Sequence, residues 1–200
     1  MKDSNEQGMR RRGRRMLLTI AALFFVPLAI AFALYYGGAW RPGGTTNRGE
    51  LISPARPLPA AALVLSDGSP GAPDLFHRRW SLVYVGAGAC EPSCRQALVL
   101  MRQTRLALAN DMARVQRVFL ATYPCCDREF LARDHPGLIT VDASRADGAR
   151  VVQIFPAEGT TDAIAIVDPL GNIMMHYDVR QPPKGLLQDL RHLLALSHIG

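Results

Sequence analysis

The chain has 200 residues, 48% hydrophobic and 20% charged, with a formal net charge of +6. The basic surplus is local: Lys2, Arg10, Arg11, Arg12, Arg14 and Arg15 against Asp3 and Glu6 supply four of those charges, and the remaining 17 basic and 15 acidic side chains leave only two. A near-neutral remainder without a basic stripe or clustered aromatics excludes the footprint of a nucleic-acid-binding domain, and no Gly-rich loop followed by Lys and Ser or Thr marks a nucleotide phosphate site.

Residues 1–15 form a basic tail, and Met16 to Tyr36 follows as 21 residues without a charge. At about 1.5 Å per residue this run covers the roughly 30 Å hydrocarbon core of a bilayer. Arginines ahead of it, and Tyr35, Tyr36 and Trp40 behind it, predict a single span at 16–36 with the N-terminus in the cytoplasm and the rest of the chain outside. A cleaved secretory signal is the competing reading, since Ala31-Phe32-Ala33 has the small-x-small form of a cleavage site, but the apolar run is longer than a signal core and favours an uncleaved anchor. Residues 37–60, rich in Pro, Gly and small polar side chains, read as a partly extended tether. Residues 61–200 are long enough for one domain around one core.

Within that domain Ala62 to Leu65 reads as a short strand closed by the turn Ser66 to Gly71. Leu82 to Val85 is an apolar strand, and Pro92 to Ala109 carries Ala97, Leu98, Leu100, Met101, Leu106 and Leu108 at helical spacing. Arg117 to Thr122 and Leu138 to Val141 are strands, Asp127 to Arg133 and Arg145 to Ile154 helices. Ala163 to Val167 is a further apolar strand, and Asp168 to Asn172 a turn that returns Ile173 to Tyr177 as an antiparallel partner. Gly185 to Ser197 gathers its leucines on one side of a closing helix. The order predicts an α/β, thioredoxin-like fold with a central mixed sheet, preceded by one transmembrane helix.

The chemistry concentrates in Cys90-Glu91-Pro92-Ser93-Cys94, which follows the first long strand directly. Residues four apart in a first helical turn share a face, which brings their Cα atoms within the roughly 4.4–6.8 Å that a disulfide tolerates and within reach of one metal ion. Unpaired N–H groups at the helix start favour the Cys90 thiolate, and Glu91 opposes it. The pair is therefore expected to stand accessible where strand meets helix, as catalytic thiols, as metal ligands or as a structural disulfide.

Leu82 to Cys94, the later run Ala163 to Ile173 with its Asp168-Pro169-Leu170-Gly171-Asn172 turn, and the single N-terminal anchor resemble the Sco/SenC proteins over about residues 60–197. The resemblance implies a membrane-tethered thioredoxin-fold protein that carries copper to cytochrome c oxidase, or sets the thiol state of its copper sites. Cys90 and Cys94 would then be the paired copper ligands or redox thiols. The chain departs from the family at the metal-binding histidine, because Ala157 to Asp162, which leads into the strand before the hairpin, contains none. Asp162 stands where thioredoxin-type oxidoreductases carry a proline, and Ala87 where a peroxiredoxin would carry threonine.

Cys125 and Cys126 follow the second strand, and in a parallel sheet that end lies beside the end that carries Cys90. One of them would replace the absent histidine as a soft Cu(I) ligand, or exchange with Cys90 or Cys94, or serve only as a stabilising bridge. His176, in Met174-Met175-His176-Tyr177, is a further candidate ligand, limited by the alternation of side chains along a strand. His77, His135, His192 and His198 read as surface or packing residues. Three functions follow. The first is a Sco-like factor in the bacterial inner membrane with a periplasmic domain, taking copper as metal and a respiratory oxidase subunit or another exported thiol protein as partner. The second is a thiol-disulfide oxidoreductase that attacks through Cys90 and resolves through Cys94. The third is a scaffold without chemistry.

Overall fold

The structure, a computed structural model, describes residues 3–37, 47–123, 126–156, 162–197 and 199. The chain divides into two units, Met1–Thr45 and Thr46–Gly200. The first holds α1 (Asp3–Tyr36), of which Arg12–Tyr36, 25 residues, is long and apolar enough to cross a membrane. Its large apolar side chains, Leu23, Phe24 and Phe25 among them, are exposed.

The second unit is built on a six-stranded mixed sheet. Its strands are β1 (Glu50–Pro57), β2 (Trp80–Ala87), β3 (Val115–Thr122), β4 (Ile139–Asp142), β5 (Ala163–Val167) and β6 (Asn172–Asp178), in the order β1-β6-β5-β2-β3-β4. β2, β3 and β4 run parallel, while β5 is antiparallel to both β2 and β6. Among the described residues, four α-helices follow α1 in chain order: α2 (Pro92–Ala107), α3 (Arg128–Asp134), α4 (Ala146–Val152) and α5 (Lys184–Leu196). Side chains of α2, α3 and α5 join one core layer, and α4 with residues of the 58–76 segment joins the layer on the opposite face.

Local sequence explains most of these elements. β2 and β3 sit in the covered centre of the sheet, so both their faces are apolar and they read as continuous hydrophobic runs rather than alternating ones. α2 opens on Pro92, whose missing N–H costs nothing at a first helical position, and buries Cys94, Ala97, Leu98, Met101 and Thr104 along one stripe. α5 buries Leu186, Leu190 and Leu194 at four-residue intervals, each contributing roughly 1.5–3 kcal/mol of transfer free energy. The β5–β6 hairpin turns where the Asp168 carboxylate accepts the N–H groups of Leu170 and Asn172, at 3.0 and 2.8 Å, with Gly171 at φ +85.

Two expectations change. The tether was expected to run to residue 60, yet residues 50–57 form β1, paired antiparallel with β6 through Glu50–His176 and Leu51–Met175 and again through Arg56–Ile173 and Pro57–Asn172. Prolines are tolerated on an edge strand because one side of its ladder is free, and Pro54 falls where the register shifts between Leu51 and Arg56. Composition alone could not separate such a strand from a linker. Just ahead of it the buried Asp189 carboxylate of α5 accepts the N–H groups of Arg48 and Gly49, both at 2.8 Å, which pins the chain to the domain. Residues 38–46 of the expected tether lie outside the described residues. The second change is at Ala62–Leu65, which forms no strand: Val64 and Leu65 make isolated bridges to Pro70 and Val141.

Candidate redox site

β2 delivers the motif to the C-terminal edge of the parallel strands. Past Ala87 the chain bends back, with the Cys90 N–H donating to the Ala87 carbonyl at 3.0 Å and Gly88 N–H to the Thr122 carbonyl at 3.2 Å. Cys90 and Cys94 form a disulfide with a Cα–Cα separation of 5.0 Å. The route to that geometry differs from the expected one. Cys90 lies outside α2, ahead of its N-cap Glu91, and reaches Cys94 through a left-handed backbone at φ 49 rather than through a shared helical turn. A non-glycine residue in that region is strained by about 1–3 kcal/mol, and such strain concentrates at functional sites.

The expectation of accessible sulfurs is corrected as well. Cys90 is 1% and Cys94 3% exposed. The reason is positional: Cys94 belongs to the same buried stripe of α2 as Ala97, Leu98 and Met101, so a partner that reaches it must also point inward.

Around the disulfide the structure gathers residues that sequence reasoning did not single out. The Tyr84 ring lies along β2 over Gly86, where an added Cβ would stand 2.8 Å from its Cε1. Its hydroxyl meets Ser93, the residue just before Cys94. Burial pushes the Tyr84 phenol above its ordinary value, the hydrogen bond with Ser93 opposes the rise, and the negative charges of Asp162 and Glu91 reinforce it. Tyr84, in the same core layer as the two cysteines, therefore stays a neutral phenol at neutral pH. The only sequence signal for this was a glycine two positions along the same strand face. Arg95 carried no signal at all: its Nε donates to the Cys90 carbonyl at 3.1 Å, and its guanidinium lies 4.4 Å from the centroid of the Phe130 ring of α3.

Asp162 completes this edge. It precedes β5, the antiparallel neighbour of β2, holds φ 51, and accepts the Val179 N–H at 2.8 Å. The position expected for a thioredoxin-type proline is thus a left-handed aspartate. The Val179 carbonyl in turn accepts from Gln96 Nε2 of α2 at 3.4 Å.

Of the other sequence candidates, Cys126 packs against the core layer that contains Cys90, Cys94 and Phe130, and is itself disulfide-bonded. The next residue, Asp127, donates its N–H to the Gly88 carbonyl at 3.2 Å and caps α3 by accepting from Phe130 N–H at 3.1 Å, so this segment adjoins the Cys90 loop. Cys125 lies outside the described residues. His176 is placed elsewhere: Met175 and Tyr177 on either side of it enter the layer with the cysteines, so strand alternation turns His176 to the other face. There its Nε2 stands 3.1 Å from the Glu50 carboxylate of β1. Among the described residues no group of three or more His, Cys, Asp or Glu side chains is arranged to hold a metal ion. In its oxidised form the pair offers no thiolate; two electrons and two protons convert it to two thiols, either of which becomes a nucleophile or soft ligand on ionising.

No curated protein matches the sequence. The fold is shared with solved Sco proteins. The copper-bound ScoI of Bradyrhizobium japonicum is 18% identical, covering 68% of this chain and 98% of that one with a TM-score of 0.55. Yeast Sco1 is 13% identical over 73% of this chain and 98% of its own, with a TM-score of 0.61. BsSco, described as a member of the Sco family of cytochrome c oxidase assembly proteins with a disulfide switch, is 13% identical over 72% and 96%, with a TM-score of 0.53. Residues 80–197, more than half of the chain, match the family described as transmembrane-like, thioredoxin-like, C-terminal domain, and the chain belongs to that family.

Proposed function

We propose that this chain is a membrane-anchored, Sco-like thiol-redox factor, held in the bacterial inner membrane by residues 16–36 with its N-terminus in the cytoplasm and its domain in the periplasm. Its Cys90–Cys94 disulfide is reduced and re-formed as it maintains the thiols of a copper site during cytochrome c oxidase assembly. The observation that carries this reading is a disulfide at the strand-to-helix bend whose first cysteine is held left-handed and whose carbonyl accepts from a guanidinium. Likeness in fold to a Sco protein described by its disulfide switch supports it. In the forward step a reduced thiol pair on this chain meets a disulfide on the client. The Cys90 thiolate attacks one client sulfur, the client disulfide breaks and its other sulfur leaves as a thiolate. The Cys94 thiolate then displaces the client from the mixed disulfide, so two electrons pass to the client and the chain is left oxidised. With other exported proteins as clients, the same steps describe a general thiol-disulfide oxidoreductase.

Copper delivery is the second reading, favoured by the copper-bound Sco proteins of the same fold. Cu(I), as cargo, would be held by the thiolates of reduced Cys90 and Cys94, with Cys125, or Cys126 once reduced, as a third soft donor. His176, turned to the opposite face, has no part in this ligand set.

The test uses the full-length protein in detergent, equilibrated with glutathione buffers and, after reduction, titrated anaerobically with Cu(I). A midpoint above about −300 mV with no copper retained supports the redox factor. Tight one-to-one copper binding selects delivery. A potential below that value with neither activity leaves a structural disulfide and sinks both readings.

A further inference from the structure

We propose that Arg95 is the positioning residue of this site: hydrogen-bonded to Cys90 and braced on Phe130, its guanidinium stabilises the thiolate form of Cys90 and so sets the redox poise of the pair. The assignment rests on the redox reading above and deepens it.

The Arg95 Nε, 3.1 Å from the Cys90 carbonyl, ties a positive charge to the residue whose sulfur ionises. The Phe130 ring, 4.4 Å from the guanidinium carbon, fixes the other side, and the contact is part-buried, where charge is screened less than at an open surface. The other charged groups on this edge do not do the same work. Glu91 adjoins Cys90 in sequence, Asp162 ends the neighbouring strand, and Asp127 caps α3 beside Gly88, so all three disfavour a thiolate. Tyr84 stays neutral, and Arg180 is taken up by Asp178 at 2.6 Å. Among the described residues, Arg95 is the cation hydrogen-bonded to Cys90. The neutral disulfide gains little from a nearby positive charge and the thiolate gains much, so Arg95 favours the reduced form.

The reaction that reads this out is reduction by glutathione. One glutathione thiolate attacks the disulfide, expelling the other cysteine as a thiolate; a second glutathione resolves the mixed disulfide, leaving two protein thiols and one oxidised glutathione. In full-length protein in detergent, Arg95→Gln is expected to make this equilibrium about tenfold less favourable to the dithiol, roughly 30 mV. In protein reduced beforehand, the pH midpoint of iodoacetamide alkylation is expected to rise, with alkylation at pH 7 at least threefold slower. Arg95→Lys keeps the charge but loses the planar Nε donor and the stacked face, and should shift both measures clearly less than Arg95→Gln. Phe130→Leu removes the brace and should shift both part of the way, which serves if Arg95→Gln does not fold. Equal shifts in Arg95→Gln and Arg95→Lys, or an unchanged alkylation midpoint in Arg95→Gln, overturn the assignment. If glutathione fails to reduce the wild-type pair while the alkylation midpoint still moves in Arg95→Gln, the redox reading falls and the role of Arg95 stands.

Discussion

Two parts of the layer beneath α2 bury polar groups on opposite terms. At the disulfide edge the buried or half-buried groups are answered: Arg95 by the Cys90 carbonyl and the Phe130 face, Gln96 by Val179. Further along the same face Arg117 of β3 is 3% exposed, and only its Nη2 is satisfied, by the Pro136 carbonyl at 2.7 Å; Nε and Nη1 have no partner among the described residues. Burial, followed by the like charges of Arg105 and Arg102, lowers the Arg117 pKa, and His135 beside it is buried with its Nδ1 unpaired. Phe130 divides the two regions, offering its face to Arg95 and meeting His135 edge-on at 5.2 Å. The difference teaches that backbone strain and satisfied polar atoms coincide at the disulfide, whereas an uncompensated buried charge marks a cost in stability.

The largest effect that would break this contrast is at the disulfide. Cys94→Ser should abolish the two-electron interconversion of the pair with glutathione, leaving Cys90 able only to form a mixed disulfide, and lower unfolding free energy in urea by about 2 kcal/mol, the chain-entropy value for so short a loop; an undiminished number of exchanged electrons would remove Cys90–Cys94 from the chemistry. Next comes Arg117→Met, which replaces an unpaired buried charge by an apolar side chain of similar length. Stability should rise by roughly 1 kcal/mol, and a loss of 2 kcal/mol or more would mean that Arg117 is compensated after all.

Acid should act on the Arg117 side through His135. Burial, and then the positive charge of Arg117, depress the folded His135 pKa below its ordinary value. The unfolded chain therefore binds the proton more readily, the stability from neutral His135 is fully present above the unfolded value of about 6.5, and it is lost as pH falls from there through the folded value. His135→Phe should flatten this part of a pH-dependent melting profile, and an unchanged slope would clear His135 of the effect. The smallest expected change is Tyr84→Phe, which keeps the ring over Gly86 and loses only the hydroxyl. It should cost about 0.5–1.5 kcal/mol and leave the alkylation midpoint of Cys90 where it was; a shifted midpoint would make Tyr84 part of the proton chemistry.

Much of the architecture was legible because its signals are local. Continuous apolar runs marked β2, β3 and β5, Pro92 marked the start of α2, and Asp168 to Asn172 marked the hairpin. β1 was missed because Pro54 and Pro57 argue against a strand unless the strand is known to lie at an edge, and edge position is not a local property. His176 was drawn toward the site by proximity in sequence to the hairpin, yet a period of two decides its face, and only the packing of Met175 and Tyr177 says which face meets the cysteines.

By itself the sequence determined the apolar span, the strand and helix order from β2 onward, and the pairing distance of Cys90 and Cys94, because hydrophobic periodicity and residue spacing act over a few positions. Tertiary structure alone decided that the disulfide is buried, that Cys90 bends left-handed to reach its partner, and that Arg95 hydrogen-bonds to it with Tyr84 in the same core layer. Those facts come from β2, β5, α2 and α3 meeting at one edge of the sheet, and contacts between segments tens of residues apart leave no periodic trace in the chain.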